Sequence, residues 1–275
     1  MGLPAASTAG TALVTGASSG IGVAIARELA AKGHALILVA RREERLRSLA
    51  TELADQHGVS TEVITCDLSD SAERDRLVEQ VNKGGRVVEV LVNNAGFGSR
   101  GRFASNDPDR MVGMVRLNVE AVVELTSRFL GGMVERGRGS IINISSTSAF
   151  QPLPGAAVYA ASKSFVLSFS EAIRTELRGT GVGVTAVCPG PVKTEFTDAA
   201  GMSGIEDSTP DAIWMTAEEI GVAAVDGAVA DKRVVVPGVL NRAGSLLGQH
   251  TPRGIGLPIF ARIWGSGSTR GPSES

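Results

Sequence analysis

The chain has 275 residues, of which 43% are hydrophobic and 20% charged, a composition that sustains a sizeable core and excludes wholesale disorder. A formal net charge of −2 gives no global field to draw it to nucleic acid, so any anion site must be local. No apolar run reaches the roughly 18 residues of a membrane span, and no integral membrane segment is expected.

The opening residues, "MGLPAASTAG", contain no basic stretch followed by an apolar one, and Ala6 stands where N-myristoylation needs a hydroxyl. Neither export nor N-terminal lipidation is expected, and residues 1–10 read as a flexible start. "TALVTG" is a short β-branched run, and apolar positions at helical spacing follow over about 21–32 until Gly33 stops them. "HALILVA" reads as a buried strand, and "REERLRSLATELADQHG" as a charged amphipathic helix closed by Gly58.

The unit recurs with "VSTEVITCDLS" and a helix over about 71–82, then "VEVLVNNAG" and a long helical region over about 108–136. "GSIINIS", a helix over about 157–179 and "VGVTAVCPG" complete the regular alternation. Such alternation predicts an α/β fold, a doubly wound parallel sheet of about seven strands with helices on both faces, in one domain over 11–240.

A last helix is expected at "TAEEIGVAAVDGAVA", where Thr216 and Glu219 fit a capping box, before the strand "KRVVVPG". Residues of about 195–215 show no period and read as a lid over a substrate. The extension 241–264 mixes basic and apolar residues; a membrane surface, a partner, the protein's own pocket and a subunit interface are its candidate contacts, the last two favoured. The Gly- and Ser-rich 265–275 reads as a disordered tail. Cys66 and Cys188 sit in apolar surroundings without metal-ligand spacing, so buried reduced thiols, no metal site and a cytoplasmic location are expected.

Three local patterns carry chemistry. The first strand-to-helix turn is "TGASSGIG", where Gly16, Gly20 and Gly22 let the backbone turn sharply and approach a ligand at the positive end of the new helix. That placement predicts a nucleotide phosphate site. At the end of the second strand, "LVARREERL" offers Arg41 and Arg42 where an acidic residue would bind a ribose hydroxyl, so NADP(H) is predicted over NAD(H). In "YAASK", Tyr159 and Lys163 lie four residues apart and share one helix face, so they can act on one ligand.

Five motifs in order, "TGASSGIG", "CDLS", "NNAG", the "SS…YAASK" pair and "PGPVKT", make the sequence resemble the short-chain dehydrogenase/reductase family over about 11–194. The resemblance implies an oxidoreductase acting on C=O or CH–OH groups, with Asn118, Ser146, Tyr159 and Lys163 as its catalytic tetrad. Ser145 competes with Ser146, and the family's usual interval before the tyrosine selects Ser146.

The resemblance also surrounds the cofactor with Gly16, Ser18, Ser19, Gly20, Ile21 and Gly22 at the phosphates, and with Asp67 and Leu68 at the adenine. Asn93, Ala95 and Gly96 would border the adenosine, while Pro189, Gly190, Val192 and Thr194 would flank the nicotinamide; Asn94 reads as a link between strands. Tyr159 would protonate the alkoxide left by hydride transfer, and the Lys163 ammonium would lower the phenol's pKa from its usual value near 10 while bonding the ribose. Ser146 would hold the substrate oxygen, and Asn118 would position a relay water.

Phe97, Phe150, Leu153, Phe196, Met202, Ile213, Trp214 and Met215 are expected around a mostly apolar pocket. They point to a lipophilic carbonyl such as a 3-oxoacyl thioester, a steroid-like ketone or a xenobiotic. The family's habit implies a homodimer or homotetramer through the helices of about 108–136 and 157–179. A non-catalytic NADP-binding sensor or scaffold is the alternative, though such a protein need not keep the tetrad.

Overall fold

The computed structural model describes residues 2–195 and 211–264. Seven parallel strands among them form one sheet in the order β3-β2-β1-β4-β5-β6-β7. They are β1 (Gly10–Thr15), β2 (Ala35–Ala40), β3 (Thr61–Thr65), β4 (Val87–Asn93), β5 (Gly139–Ile144), β6 (Val182–Val187) and β7 (Val234–Val235). The chain reverses its winding between β1 and β4, and ligands of such sheets bind beyond the strand ends at that point.

Strand alternation divides the core in two. Ala12, Val14, Leu36, Leu38, Val90 and Val92 pack on one face, against α1 (Gly20–Ala31), α2 (Glu43–His57) and α7 (Ala217–Val229). Leu13, Ile37, Val39, Leu91, Ile141 and Val184 pack on the other, against α3 (Ser71–Lys83), α5 (Ala121–Glu135) and α6 (Ala157–Glu176). Local chemistry sets the helix ends: Asp70 caps α3, Thr216 and Glu219 form a capping box on α7, and Gly58 closes α2 at φ 67°.

The long helix expected over about 108–136 is interrupted. α4 (Pro108–Val115) passes into a single π-helical turn, Arg116–Glu120, before α5 begins. One inserted residue leaves the apolar pattern nearly intact, so periodicity does not betray it.

The start of the chain, expected to be flexible, lies against the domain: the Leu3 N–H donates to Ala228 O at 2.8 Å, and Arg138 donates to Ala5 O. The extension forms α8 (Val239–His250) and α9 (Arg253–Trp264), broken at Thr251 and Pro252. Most of the expected lid, 196–210, and the tail 265–275 lie outside the described residues. Both cysteines are buried and free, and no helix among the described residues is long and apolar enough to cross a membrane.

Candidate active site

A cleft of about 750 Å³ opens at the carboxyl ends of β1, β2, β4, β5 and β6. Gly16, at φ 67°, and Gly20, at φ 53°, adopt backbone that favours glycine. A Cβ on Gly22 would fall 2.3 Å from Gly16 O, and one on Gly20 would come within 3.1 Å of the Thr194 methyl. The turn is strapped to β4: Thr15 Oγ1 donates to Val92 O at 2.9 Å, and Asn94 Nδ2 donates to Thr15 O at 2.9 Å. Ser19 precedes α1 without a side-chain cap, so no side chain occupies the helix's first N–H groups. A phosphate fits this cradle, because its donors are unshielded and no Cβ keeps it away.

Gly16, Ser18, Ser19, Gly20 and Ile21 line the cleft, while Gly22 stands behind them as a packing glycine. Arg41 extends from the end of β2, 77% exposed, with Nη1 3.9 Å from Asp67 Oδ2. Arg42 donates from Nε to Ser18 Oγ at 3.2 Å and from Nη1 to Glu195 at 2.8 Å. Glu195 also takes 2.7 Å and 2.9 Å bonds from Arg45. Burial alone would raise the Asp67 carboxyl, but the Ser69 hydroxyl and N–H, with Arg41 nearby, hold it below the ordinary range.

Leu68, Ala95 and Gly96 also line the cleft, but the Asn93 side chain does not. It turns inward, donating to Thr126 Oγ1 at 3.1 Å and Asn143 Oδ1 at 2.8 Å, and so ties β4 to β5 and α5. Asn94, just beyond β4, links the strands as expected through its bonds to Thr15 O and Gly16 O, and it also lines the cleft.

Tyr159 and Lys163 stand one above the other on α6, with Nζ 5.9 Å from the ring centre. The ammonium is 5% exposed and donates to Ile144 O at 2.9 Å. Burial pushes it down from 10.5 to about 8. Burial likewise pushes the Tyr159 phenol up to about 12, against a hydrogen bond with Ser146 that pulls the other way. Burial is the largest influence on the phenol, the Ser146 hydrogen bond opposes it, and Tyr159 still lines the cleft.

The Ser145 hydroxyl donates to Lys163 O at 2.7 Å, a bond that joins β5 to α6. Ser146 instead accepts from the Ser148 N–H at 3.1 Å and shares its hydroxyl with the phenol. Asn118 occupies the π-helical turn, where Oδ1 accepts from the Phe97 N–H at 3.1 Å and Nδ2 donates to Phe97 O at 3.0 Å and Ser162 Oγ at 3.1 Å. It sits behind the cleft wall, its Oδ1 only 2.9 Å from where a Gly96 Cβ would be. Pro189, Gly190, Val192 and Thr194 complete the far wall.

A family model described as short chain dehydrogenase matches residues 10–202. The chain belongs to the short-chain dehydrogenase family. A sulfoacetaldehyde reductase of Chromohalobacter salexigens is 40% identical to this dehydrogenase, over 72% of this chain and 81% of its own. A putative ketoacyl reductase of Streptomyces coelicolor is 44% identical, over 66% and 70%. A short-chain dehydrogenase from Sphingobium yanoikuyae, solved in complex with NADPH, superposes with a TM-score of 0.77 at 31% identity and covers 96% of this chain and 98% of its own.

Of the apolar residues expected around the substrate, Phe97 and Trp214 line the cleft of this dehydrogenase. Leu153 belongs instead to the cluster beneath Tyr159, Phe150 packs on Leu167 and Cys188, and Met215 joins the main core. Ile213 is not among the lining residues, and Phe196 and Met202 lie outside the described ones.

Sequence reasoning missed Arg110, which lines the cleft with its guanidinium 5.1 Å from the Phe97 ring centre. It also missed Arg74, fully buried, which holds Leu68 O at 2.8 Å, Glu124 at 2.7 Å and Glu120. Nothing in a charged amphipathic helix distinguishes such an arginine from its solvated neighbours. The i, i+3 spacing of Glu73 and Arg76 looks the same.

Proposed function

We propose that this dehydrogenase is an NADPH-dependent reductase that converts a ketone or aldehyde to an alcohol, with Tyr159 as the proton donor. The observation that carries this reading is geometric: the Tyr159 phenol lines the cleft, is hydrogen-bonded to Ser146, and stands one helical turn from the buried Lys163 ammonium. Protonated at neutral pH, it is placed to give a proton to a nascent alkoxide.

The cofactor supplies the hydride. The glycine cradle and the uncapped start of α1 would hold its phosphates, while Arg41 and Arg42 suit a 2′-phosphate; the NADPH complex of the structural neighbour supports the same choice. Ser146 hydrogen-bonds the oxygen as charge develops, from a position that also touches the phenol. Lys163, still mostly charged below its pKa of about 8, provides the positive field beside Tyr159 and can bond the ribose. Asn118 fixes the Phe97 backbone and stands beside Ser162 at the rear of the site.

Phe97 and Trp214 offer apolar surface to the substrate, and Arg110 beside Phe97 offers a cation. That combination suits a lipophilic carbonyl carrying a distant negative group, of which a 3-oxoacyl thioester is the leading example. NADPH consumption would be followed with 3-oxoacyl thioesters, steroid ketones, aromatic aldehydes and small polar ketones. The highest kcat/KM should fall among the thioesters; a clear preference for small neutral ketones would overturn the substrate class.

A further inference from the structure

The first helix after the last strand is packed inside out. α8 turns its polar positions to the body: Asn241, 8% exposed, donates to Ile213 O at 3.1 Å, and Ser245 is buried beside it. The approach is close, since a Cβ on Gly190 would fall 2.3 Å from Asn241 Oδ1 and one on Gly248 would meet Gln151. The apolar side faces water instead. Val239 is 85% exposed and Leu247 70%, with Leu240 and Leu246 also exposed. α9 adds Ile255, Leu257 and Ile259 to the exposed apolar residues. A helix pair that served to close the protein's own pocket would bury these residues and expose the polar ones.

Charge narrows the occupant. From Val239 to Trp264 the two helices carry Arg242, Arg253 and Arg262 and no Asp or Glu, in a chain whose formal net charge is −2. Arg242 follows Val239 by three and precedes Leu246 by four, so all three lie along one side of α8. Among the described residues neither Arg242 nor Arg253 has an ion-pair partner. A second copy seated two-fold on this face would set cation against cation with no carboxylate between them.

We propose that α8 and α9 dock on an anionic lipid surface, lying in the headgroup region with the apolar stripe toward the acyl chains. Exposed apolar positions supply the burial, and arginines beside them reach lipid phosphates while their stems stay against hydrocarbon. The break at Thr251 and Pro252 divides the surface into two short helices, so attachment is peripheral and reversible.

The full chain would be sedimented with phosphatidylcholine vesicles and with vesicles of phosphatidylcholine and phosphatidylglycerol in equal parts. It should pellet with the mixed vesicles only, and less as salt rises from about 0.1 M to about 0.5 M, where screening shortens the reach of the charges. Leu247→Asp should lower vesicle affinity by about tenfold through lost apolar burial. Arg242→Glu with Arg253→Glu should lower it by at least about thirtyfold. Both variants should keep the wild-type rate of carbonyl reduction in solution, which shows that they fold.

No pelleting of the wild type with mixed vesicles, or equal pelleting with both kinds, would overturn the proposal. So would a halved mass of the Leu247→Asp protein in light scattering without vesicle binding by the wild type, which would assign the surface to a second copy.

Discussion

Lys163→Met tests the electrostatics of the site through stability as well as rate. Burial lowers the Lys163 ammonium from 10.5 to about 8. At about 1.4 kcal/mol per pH unit, keeping that charge inside costs the fold about 3 kcal/mol at neutral pH. Methionine fills a similar volume without the charge but leaves Ile144 O without its 2.9 Å donor, a loss of about 1 to 2 kcal/mol. The variant should therefore be about 1 to 2 kcal/mol more stable than the wild type at pH 7, while kcat/KM falls by about a hundredfold or more.

The sign of the pH dependence follows from the same values. Between about 8 and 10.5 the unfolded lysine holds its proton while the folded one has released it, so wild-type stability rises through that window. The methionine variant lacks this term, so its advantage should vanish or reverse by about pH 10. Urea unfolding followed by circular dichroism at both pH values measures it. A variant less stable than wild type at pH 7, or a difference that does not change with pH, would refute the reasoning.

The remaining predictions touch other parts of the site. The rate of carbonyl reduction should change less than threefold between about pH 6 and about pH 8, because the phenol stays protonated, whereas alcohol oxidation should climb with pH; pH–rate profiles in both directions check this. Arg42→Ala should cut the preference for NADPH over NADH by about tenfold, read from the two kcat/KM values, and an unchanged ratio would remove Arg42 from the 2′-phosphate site. Arg74→Met should cost about 3 kcal/mol in urea unfolding, since Glu124 keeps only Arg128 at 3.6 Å, Glu120 loses its cation and Leu68 O loses its donor. A loss below about 1 kcal/mol would show that the cluster contributes little.

Most of the architecture was legible because each strand is a short aliphatic run and each helix carries its own period and caps. Ser71–Lys83, Glu43–His57 with Gly58 beyond it, and the Thr216–Glu219 capping box are readable from local chemistry. The glycine turn and the Tyr159–Lys163 pair were legible for the same reason, since both depend on spacing within one element. What sequence could not give depends on partners distant along the chain. Asn93 turns into the core rather than to the cleft, and Leu153 and Met215 pack away from the cleft that their hydrophobicity suggested.

The central claim is that Tyr159 gives the proton. It is tested most directly by the single-turnover rate of carbonyl reduction in wild type and Tyr159→Phe, with NADPH binding titrated by fluorescence in both. The account predicts a rate lower by at least about a hundredfold with NADPH affinity unchanged. A variant that reduces the substrate within about tenfold of the wild-type rate would contradict it and move the proton donor to another group.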